Sequence, residues 1–127
     1  MEKRNKREKH YYDKSKKYKI DYRMKNLLRK AIIRWRVGRA FNDCFDFTFY
    51  QLKLHLEKNF LPGMCWGNYG IWHIDHKIPK KNFNYEGIKD IAVKKCWGLQ
   101  NLQPLWAKDN IRKGCRTLEE MQGEKFS

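Results

Sequence analysis

Residues 72–79 read Trp-His-Ile-Asp-His-Lys-Ile-Pro, and residues 99–110 read Leu-Gln-Asn-Leu-Gln-Pro-Leu-Trp-Ala-Lys-Asp-Asn. Side chains alternate in a strand-like way over residues 71–75, with His73 and Asp75 on one face. The second stretch predicts a strand over residues 99–106. That strand is interrupted or lies at a sheet edge, because its proline has no backbone N–H to donate.

Helical patterns surround these two strands. From residue 21 to residue 37, apolar side chains recur at helical spacing among basic residues, which predicts an amphipathic helix. Thr48 and Gln51 have the spacing of a capping box, so a second helix is predicted to start at Thr48. Two shorter helices are predicted further along, within residues 85–95 and from Lys108 onward.

The formal net charge is +15, and most of it lies in the N-terminal third. Residues 1–40 carry 16 Lys and Arg against 4 Asp and Glu, and residues 41–127 carry 13 against 10. A basic block of this kind is typical of proteins that bind polyanions, because neutralising phosphates releases counterions. A solubilising face, a tail that binds any acidic partner, and an acidic membrane surface are the alternatives.

Charge also divides the chain into two predicted parts. Residues 1–20 are dense in charge and poor in aliphatic side chains, so they are predicted to form a flexible basic arm or a helix that orders on an acidic partner. Residues 21–127 are predicted to form one folded domain.

Several classes of protein are disfavoured. No apolar run approaches the length of a membrane span, and the chain is charged from residue 2. We therefore expect an intracellular protein without a membrane partner, in a host cytoplasm or in a nucleus.

Cysteines are widely spaced without a Cys-x-x-Cys motif, which predicts reduced core residues, with a long-range zinc site as the residual possibility. They are Cys44, Cys65, Cys96 and Cys115.

Acid, imidazole and amide side chains cluster in the two quoted stretches. Asp75 and His76 are adjacent, and Asn101 and Asn110 follow. Carboxylate and amide oxygens suit a hard divalent cation, and an imidazole can take a proton from water near neutral pH. In a very basic chain, this combination predicts hydrolysis of a nucleic-acid phosphodiester.

The same residues resemble the HNH endonuclease family, of the kind common in phages, large viruses and mobile introns. The likeness covers roughly residues 45–115. Its main parts are Asp75-His76, Ile78-Pro79, Asn101 to Trp106, Asp109-Asn110 and Lys113-Gly114. The resemblance implies an α+β fold with a ββα-metal core, a two-stranded hairpin packed on a helix with one divalent ion between them. The N-terminal helices and the basic arm would be additions to that core.

The resemblance also implies a role for each matching residue. Asp75 and Asn110 would ligate one Mg²⁺ or Mn²⁺ ion, since asparagine in place of the family's last histidine shifts preference away from zinc and nickel. His76 would be the general base that deprotonates the attacking water. Asn101 would hold the loop that carries His76 and orient its ring. The expected products are a 5′-phosphate and a 3′-hydroxyl.

Other polar and aromatic residues are less specific. His73 could assist the site or be a structural histidine. Trp66, Trp72, Trp97 and Trp106 are predicted to be core residues and not base-stacking platforms. Contacts to nucleic acid are predicted at basic residues that could equally be solvated cations, namely Arg29, Arg36, Lys77, Arg112 and Lys113.

The predicted partner is DNA, in double-stranded form. One site per chain would nick the DNA, whereas a homodimer could cut both strands. Two alternatives stay open: a structure-selective or RNA-directed nuclease with the same site, and a non-catalytic nucleic-acid-binding protein in which the basic third is the function.

Overall fold

The computed structural model describes residues 16–114 and 116–120 of the chain. Within these ranges the fold is mixed α+β, as predicted, with helices around a two-stranded antiparallel sheet. In chain order the helices and strands are α1 (Lys16–Arg34), α2 (Arg39–Cys44), α3 (Phe49–Lys58), β1 (Trp72–His76), α4 (Ile91–Cys96), β2 (Leu102–Trp106) and α5 (Ala107–Lys113). Short 3₁₀ turns form at Trp66–Asn68, Lys80–Asn82 and Leu99–Asn101. No helix in the described part is long and apolar enough to cross a membrane.

Helix α1 differs from its prediction at both ends. It includes residues 16–20, so the predicted boundary between arm and domain falls inside the helix, and the rest of the predicted arm lies outside the described residues. It ends at Arg34 and not at residue 37, because Trp35 has a positive φ of 58°, which is incompatible with a right-handed α-helix. Its core-facing stripe follows helical spacing and consists of Met24, Leu28, Ala31 and Ile32.

Helix α3 starts where its capping box predicts. Thr48 Oγ1 accepts a hydrogen bond from Gln51 N at 3.1 Å, and Gln51 Oε1 accepts one from Thr48 N at 2.8 Å. Two backbone donors that would otherwise be free at the helix start are thereby satisfied. The predicted start of this helix is confirmed.

Strands β1 and β2 pair antiparallel, from Trp72 opposite Trp106 to His76 opposite Leu102. The second strand is shorter than predicted, because residues 99–101 close a 3₁₀ turn in which Asn101 N donates to Gly98 O at 2.9 Å. Pro104 is accommodated because a sheet of two strands has only edges.

The predicted helix within residues 85–95 is shorter than expected. Only Ile91–Cys96 is helical. Ahead of it, the carboxylate of Asp90 accepts hydrogen bonds from the backbone N–H groups of Glu86 and Gly87, at 2.9 and 3.1 Å. An acid that bonds its own upstream backbone stabilises a turn in competition with a helix.

The sheet and the helices share one hydrophobic core. Trp72 and Trp97 are buried in it, and Trp66 and Trp106 are partly buried against it, so the prediction of these tryptophans as core residues is confirmed. Cys96 is a buried thiol and Cys44 is half-buried. Cys65 is exposed, and its prediction as a core residue was wrong, because it lies in the loop before the first 3₁₀ turn. Cys115 lies outside the described residues.

Helix α1 is bonded to the segment that follows β1. Asp21 accepts hydrogen bonds from Tyr85 Oη and, at 3.2 Å, from Trp97 Nε1. Lys17 Nζ donates to the carbonyl oxygens of Lys80 and Phe83. These bonds connect positions more than 60 residues apart in sequence and fix α1 against that segment.

We expect Asp21→Ala to lower the free energy of unfolding by about 1–3 kcal/mol, because two partly buried donors lose their acceptor. Chemical denaturation followed by tryptophan fluorescence measures this change. Asp43→Ala is the matched control, since Asp43 is exposed on α2. Equal loss of stability in the two variants would contradict a stabilising role for the hydrogen bonds to Asp21.

Candidate functional site

A cleft of about 940 Å³ lies between α1, the second half of β1 and the end of α5. Its lining includes five Lys and Arg side chains and one acid, so its charge suits an anionic ligand. The cations are Lys25, Arg29, Lys80, Lys81 and Lys113, and the acid is Asp75.

Helix α5 contacts both strands and begins directly after β2. The backbone N–H of its first residue, Ala107, donates to Ile71 O at 2.8 Å. Asn110 and Lys113 are three residues apart and share one helix face. Both therefore line the cleft beside Asp75 and His76.

The carboxylate of Asp75 forms a buried ion pair. Asp75 is 5% exposed and Lys113 is 1% exposed. Lys113 Nζ lies 3.1 Å from Asp75 Oδ2 and 3.2 Å from Oδ1, and it also donates to His76 O at 2.8 Å. Gln103 Nε2, opposite Asp75 in the sheet register, donates to Oδ2 at 2.8 Å. One carboxylate thus joins β1, β2 and α5.

The ring of His76 packs edge to face on Trp97, with centroids 4.3 Å apart and an interplanar angle of 88°. Its Nε2 is buried and has no hydrogen-bond partner among the described residues. Burial, together with the nearby charges of Lys80 and Lys113, lowers the pKa of His76 to about 3. The imidazole is therefore neutral at neutral pH and keeps a lone pair.

Asn101 holds the chain that follows His76. Its Oδ1 accepts from Ile78 N at 2.8 Å, and its Nδ2 donates to Ile78 O at 3.1 Å and to Cys96 O at 2.9 Å. Its carbonyl accepts from Lys77 N at 2.8 Å. The 3₁₀ turn carrying Asn101 starts at Gly98, where a Cβ would lie 2.6 Å from Lys94 O, so only glycine fits.

The structure brings most of the predicted site residues together. Asp75, His76, Asn110 and His73 all line the cleft, whereas Asn101 is buried and does not line it. His73 contacts the ring of Tyr69, with centroids 6.0 Å apart. Whether His73 assists the site or is structural stays a prediction.

The predicted contacts to nucleic acid divide into three groups. Arg29 lines the cleft. Arg36, Lys77 and Arg112 are exposed but do not line it, so their contact with nucleic acid stays a prediction. Lys113 was predicted to contact phosphate, with a solvated cation as the alternative. It lines the cleft, but its ammonium is buried against Asp75, so it is not a solvated cation.

Sequence reasoning missed several residues of the site. Gln103 could have been found by placing the two strands in antiparallel register, since it pairs with Asp75. Lys25 and Tyr22 could have been found from helical spacing to Arg29 once α1 was placed over the cleft. The contact of Trp97 with His76 has no signal in the sequence, because it depends on how α4 packs.

Oxygen-bearing side chains of the cleft could contribute to holding a hard divalent ion. Asp75 and Asn110 offer oxygen atoms, and the Asn110 amide makes no side-chain hydrogen bond within the described part of the chain. Within residues 16–114 and 116–120, no group of three or more His, Cys, Asp or Glu side chains is placed so that it could hold a metal ion. Such an ion would therefore keep waters or phosphate oxygens, as Mg²⁺ prefers, and would share Asp75 with Lys113.

We expect Lys113→Met to lower the free energy of unfolding by about 3–5 kcal/mol, because it leaves the Asp75 carboxylate buried without its counterion. Urea denaturation measures the loss, and adding Asp75→Asn to the same chain should recover part of it. The matched control is Lys108→Met, an exposed lysine on the same helix. A loss no larger than that of the control would contradict a buried ion pair.

Comparison with known proteins places the chain beside a viral protein of unknown function. Uncharacterized protein L426 of Acanthamoeba polyphaga mimivirus is 28% identical to it over 125 residues, covering 94% of this chain and 52% of the viral protein. The chain thus spans about half the length of that relative. No protein-family profile matches the chain, and no solved structure is significantly similar to it.

Proposed function

We propose that the chain is a metal-dependent HNH-type endonuclease that hydrolyses phosphodiester bonds in DNA. The observation that carries the proposal is His76, an imidazole without a structural hydrogen bond through its buried Nε2, placed in a cationic cleft beside Asp75 and Asn110. Acid, base and amide in one cleft are residue types that can support metal-assisted hydrolysis of a phosphodiester.

A comparison within the chain supports a chemical role for His76. His55 has the environment of a structural histidine, since its Nε2 lies 2.7 Å from Leu102 O. His76 has no such bond from Nε2, although that atom is buried. Burying a polar atom without a partner lowers stability, so a histidine kept in that state suggests a function that its neutral ring serves.

In the proposed mechanism the neutral imidazole of His76 accepts a proton from the attacking water. Burial is the main cause of the lowered pKa of His76, and the charges of Lys80 and Lys113 lower it further. An anionic phosphodiester bound beside the two lysines would offset their part of the effect and make the ring a stronger base. Asn101 and Trp97 hold the ring from two sides, one through the following backbone and one through ring packing.

Asp75 and Asn110 would hold the divalent ion of this mechanism. The ion, when bound, would polarise the phosphate and stabilise negative charge on the leaving oxygen. The Lys113 ammonium would hold the Asp75 carboxylate in place. Lys80 and Lys81, on the turn after β1, would orient the phosphate backbone across the cleft.

The second candidate is a nucleic-acid-binding protein without catalysis. The Lys113–Asp75 ion pair favours it, since a carboxylate already neutralised by an ammonium has less charge to offer a metal. The two candidates differ in one respect that is simple to measure, which is cleavage that stops when divalent ions are chelated.

We expect His76→Ala to reduce Mg²⁺-dependent cleavage of plasmid DNA by about 100-fold or more, because general-base catalysis typically contributes 10²–10⁴-fold. Agarose-gel time courses measure the rate. DNA affinity, from fluorescence anisotropy in EDTA, should stay within about twofold of wild type, since the cationic lining is untouched. Cleavage by the variant at the wild-type rate would contradict the role of His76 as the base.

A further inference from the structure

Helix α1 presents a second face that does not enter the core. Tyr22, Lys25, Arg29 and Ile33 recur at spacings of three or four residues and line the cleft opposite β1. From Tyr22 to Ile33 this face extends roughly 16 Å along the helix axis. It forms a continuous wall of the cleft, and the residues assigned to catalysis are not part of it.

The wall combines cations with exposed ring and aliphatic surfaces. Tyr22 is 58% exposed and Ile33 is 60% exposed, although Lys25 and Arg29 lie between them on the same face. The ring of Tyr22 stacks on that of Tyr18, with centroids 6.2 Å apart and an interplanar angle of 23°. Cations that follow a backbone, with aromatic rings on which bases stack, characterise sites for single-stranded nucleic acid.

Hydrogen bonds connect α1 to the opposite wall of the cleft, which carries Lys80 and Lys81. Lys17 and Asp21, on the turns of α1 before this face, bond to the segment that carries Lys80 and Lys81. Widening the cleft would break these partly buried bonds. The cleft volume of about 940 Å³ is in the range that encloses a small ligand, roughly 300–1,000 Å³. A duplex, whose major groove alone is about 12 Å wide, presents base edges and not base faces to a protein.

We propose that the substrate enters this cleft as an unpaired strand, with its phosphates along Lys25, Arg29, Lys80 and Lys81 and a base stacked on Tyr22. The proposal deepens the nuclease function proposed above and rests on it for the cutting step. The binding preference itself needs no cleavage. A single strand, or an unpaired stretch within branched DNA, is the substrate class that fits both walls.

Binding in EDTA tests the preference without cleavage. Fluorescent oligonucleotides of equal length, as single-stranded DNA, single-stranded RNA and duplex DNA, are titrated with the full chain at high salt, where non-specific phosphate contacts weaken. We expect a single strand to bind at least tenfold more tightly than the duplex. RNA binding as tightly as single-stranded DNA would also support an unpaired strand. A duplex bound equally or more tightly would overturn the proposal.

A matched pair of variants tests the stacking platform. Tyr22→Ala should weaken single-strand binding roughly tenfold, as expected for the loss of one stacked base. Tyr50→Ala should leave it unchanged, because Tyr50 is 65% exposed on α3 and does not line the cleft. Equal effects of the two substitutions would contradict the assigned role of Tyr22.

Cleavage assays separate this proposal from the proposed function. If the chain cleaves duplex DNA but no single-stranded DNA, the unpaired-strand proposal is contradicted and the proposed nuclease activity is supported. If the chain prefers single strands in binding but cleaves no substrate, the proposed nuclease activity is contradicted and the proposed binding preference is supported.

Discussion

The ammonium of Lys113 joins α5 to β1 through a buried ion pair with Asp75. It bonds both oxygens of Asp75 and the carbonyl of His76, and the side chain of Gln103, on β2, donates a further hydrogen bond to the carboxylate. Taking a lysine and an aspartate out of water is costly unless each finds close partners, so the ion pair constrains where α5 can sit on the sheet. That position of α5 also brings Asn110 to the cleft. The same constraint bears on the proposed function, because the carboxylate that would bind the metal is also the one paired with Lys113 in the fold.

A second set of contacts supports the imidazole of His76 from outside the sheet. Asn101 bonds the backbone immediately after it, and Trp97 packs across its ring. Trp97 is itself bonded to Asp21 on α1, so a helix distant in sequence sets the surface against which the histidine rests. Helix α1 therefore has two effects in this fold. It fixes the support of the candidate base, and it supplies the wall along which a substrate would lie.

Local signals in the sequence predicted much of this arrangement. The alternation in β1, the capping box at Thr48 and the helix after β2 depend on neighbouring residues, and all three are present in the structure. The resemblance to HNH endonucleases selected Asp75, His76 and Asn110, which line one cleft. What could not be predicted depends on tertiary packing. The burial of Lys113 requires the position of α5 on the sheet, and the role of α1 as a cleft wall requires bonds across more than 60 residues of sequence.

The central claim is that this cleft hydrolyses phosphodiester bonds with the help of a divalent ion. Analysis of product ends tests it most directly. An end-labelled oligonucleotide is incubated with the full chain in Mg²⁺ or in EDTA, and the products are offered to a ligase and to a phosphatase. We expect cleavage only with the divalent ion, leaving 5′-phosphate and 3′-hydroxyl ends. Cleavage that persists in EDTA, or products with a 3′-phosphate, would contradict a metal-dependent mechanism at this site, and absence of cleavage would favour a binding protein.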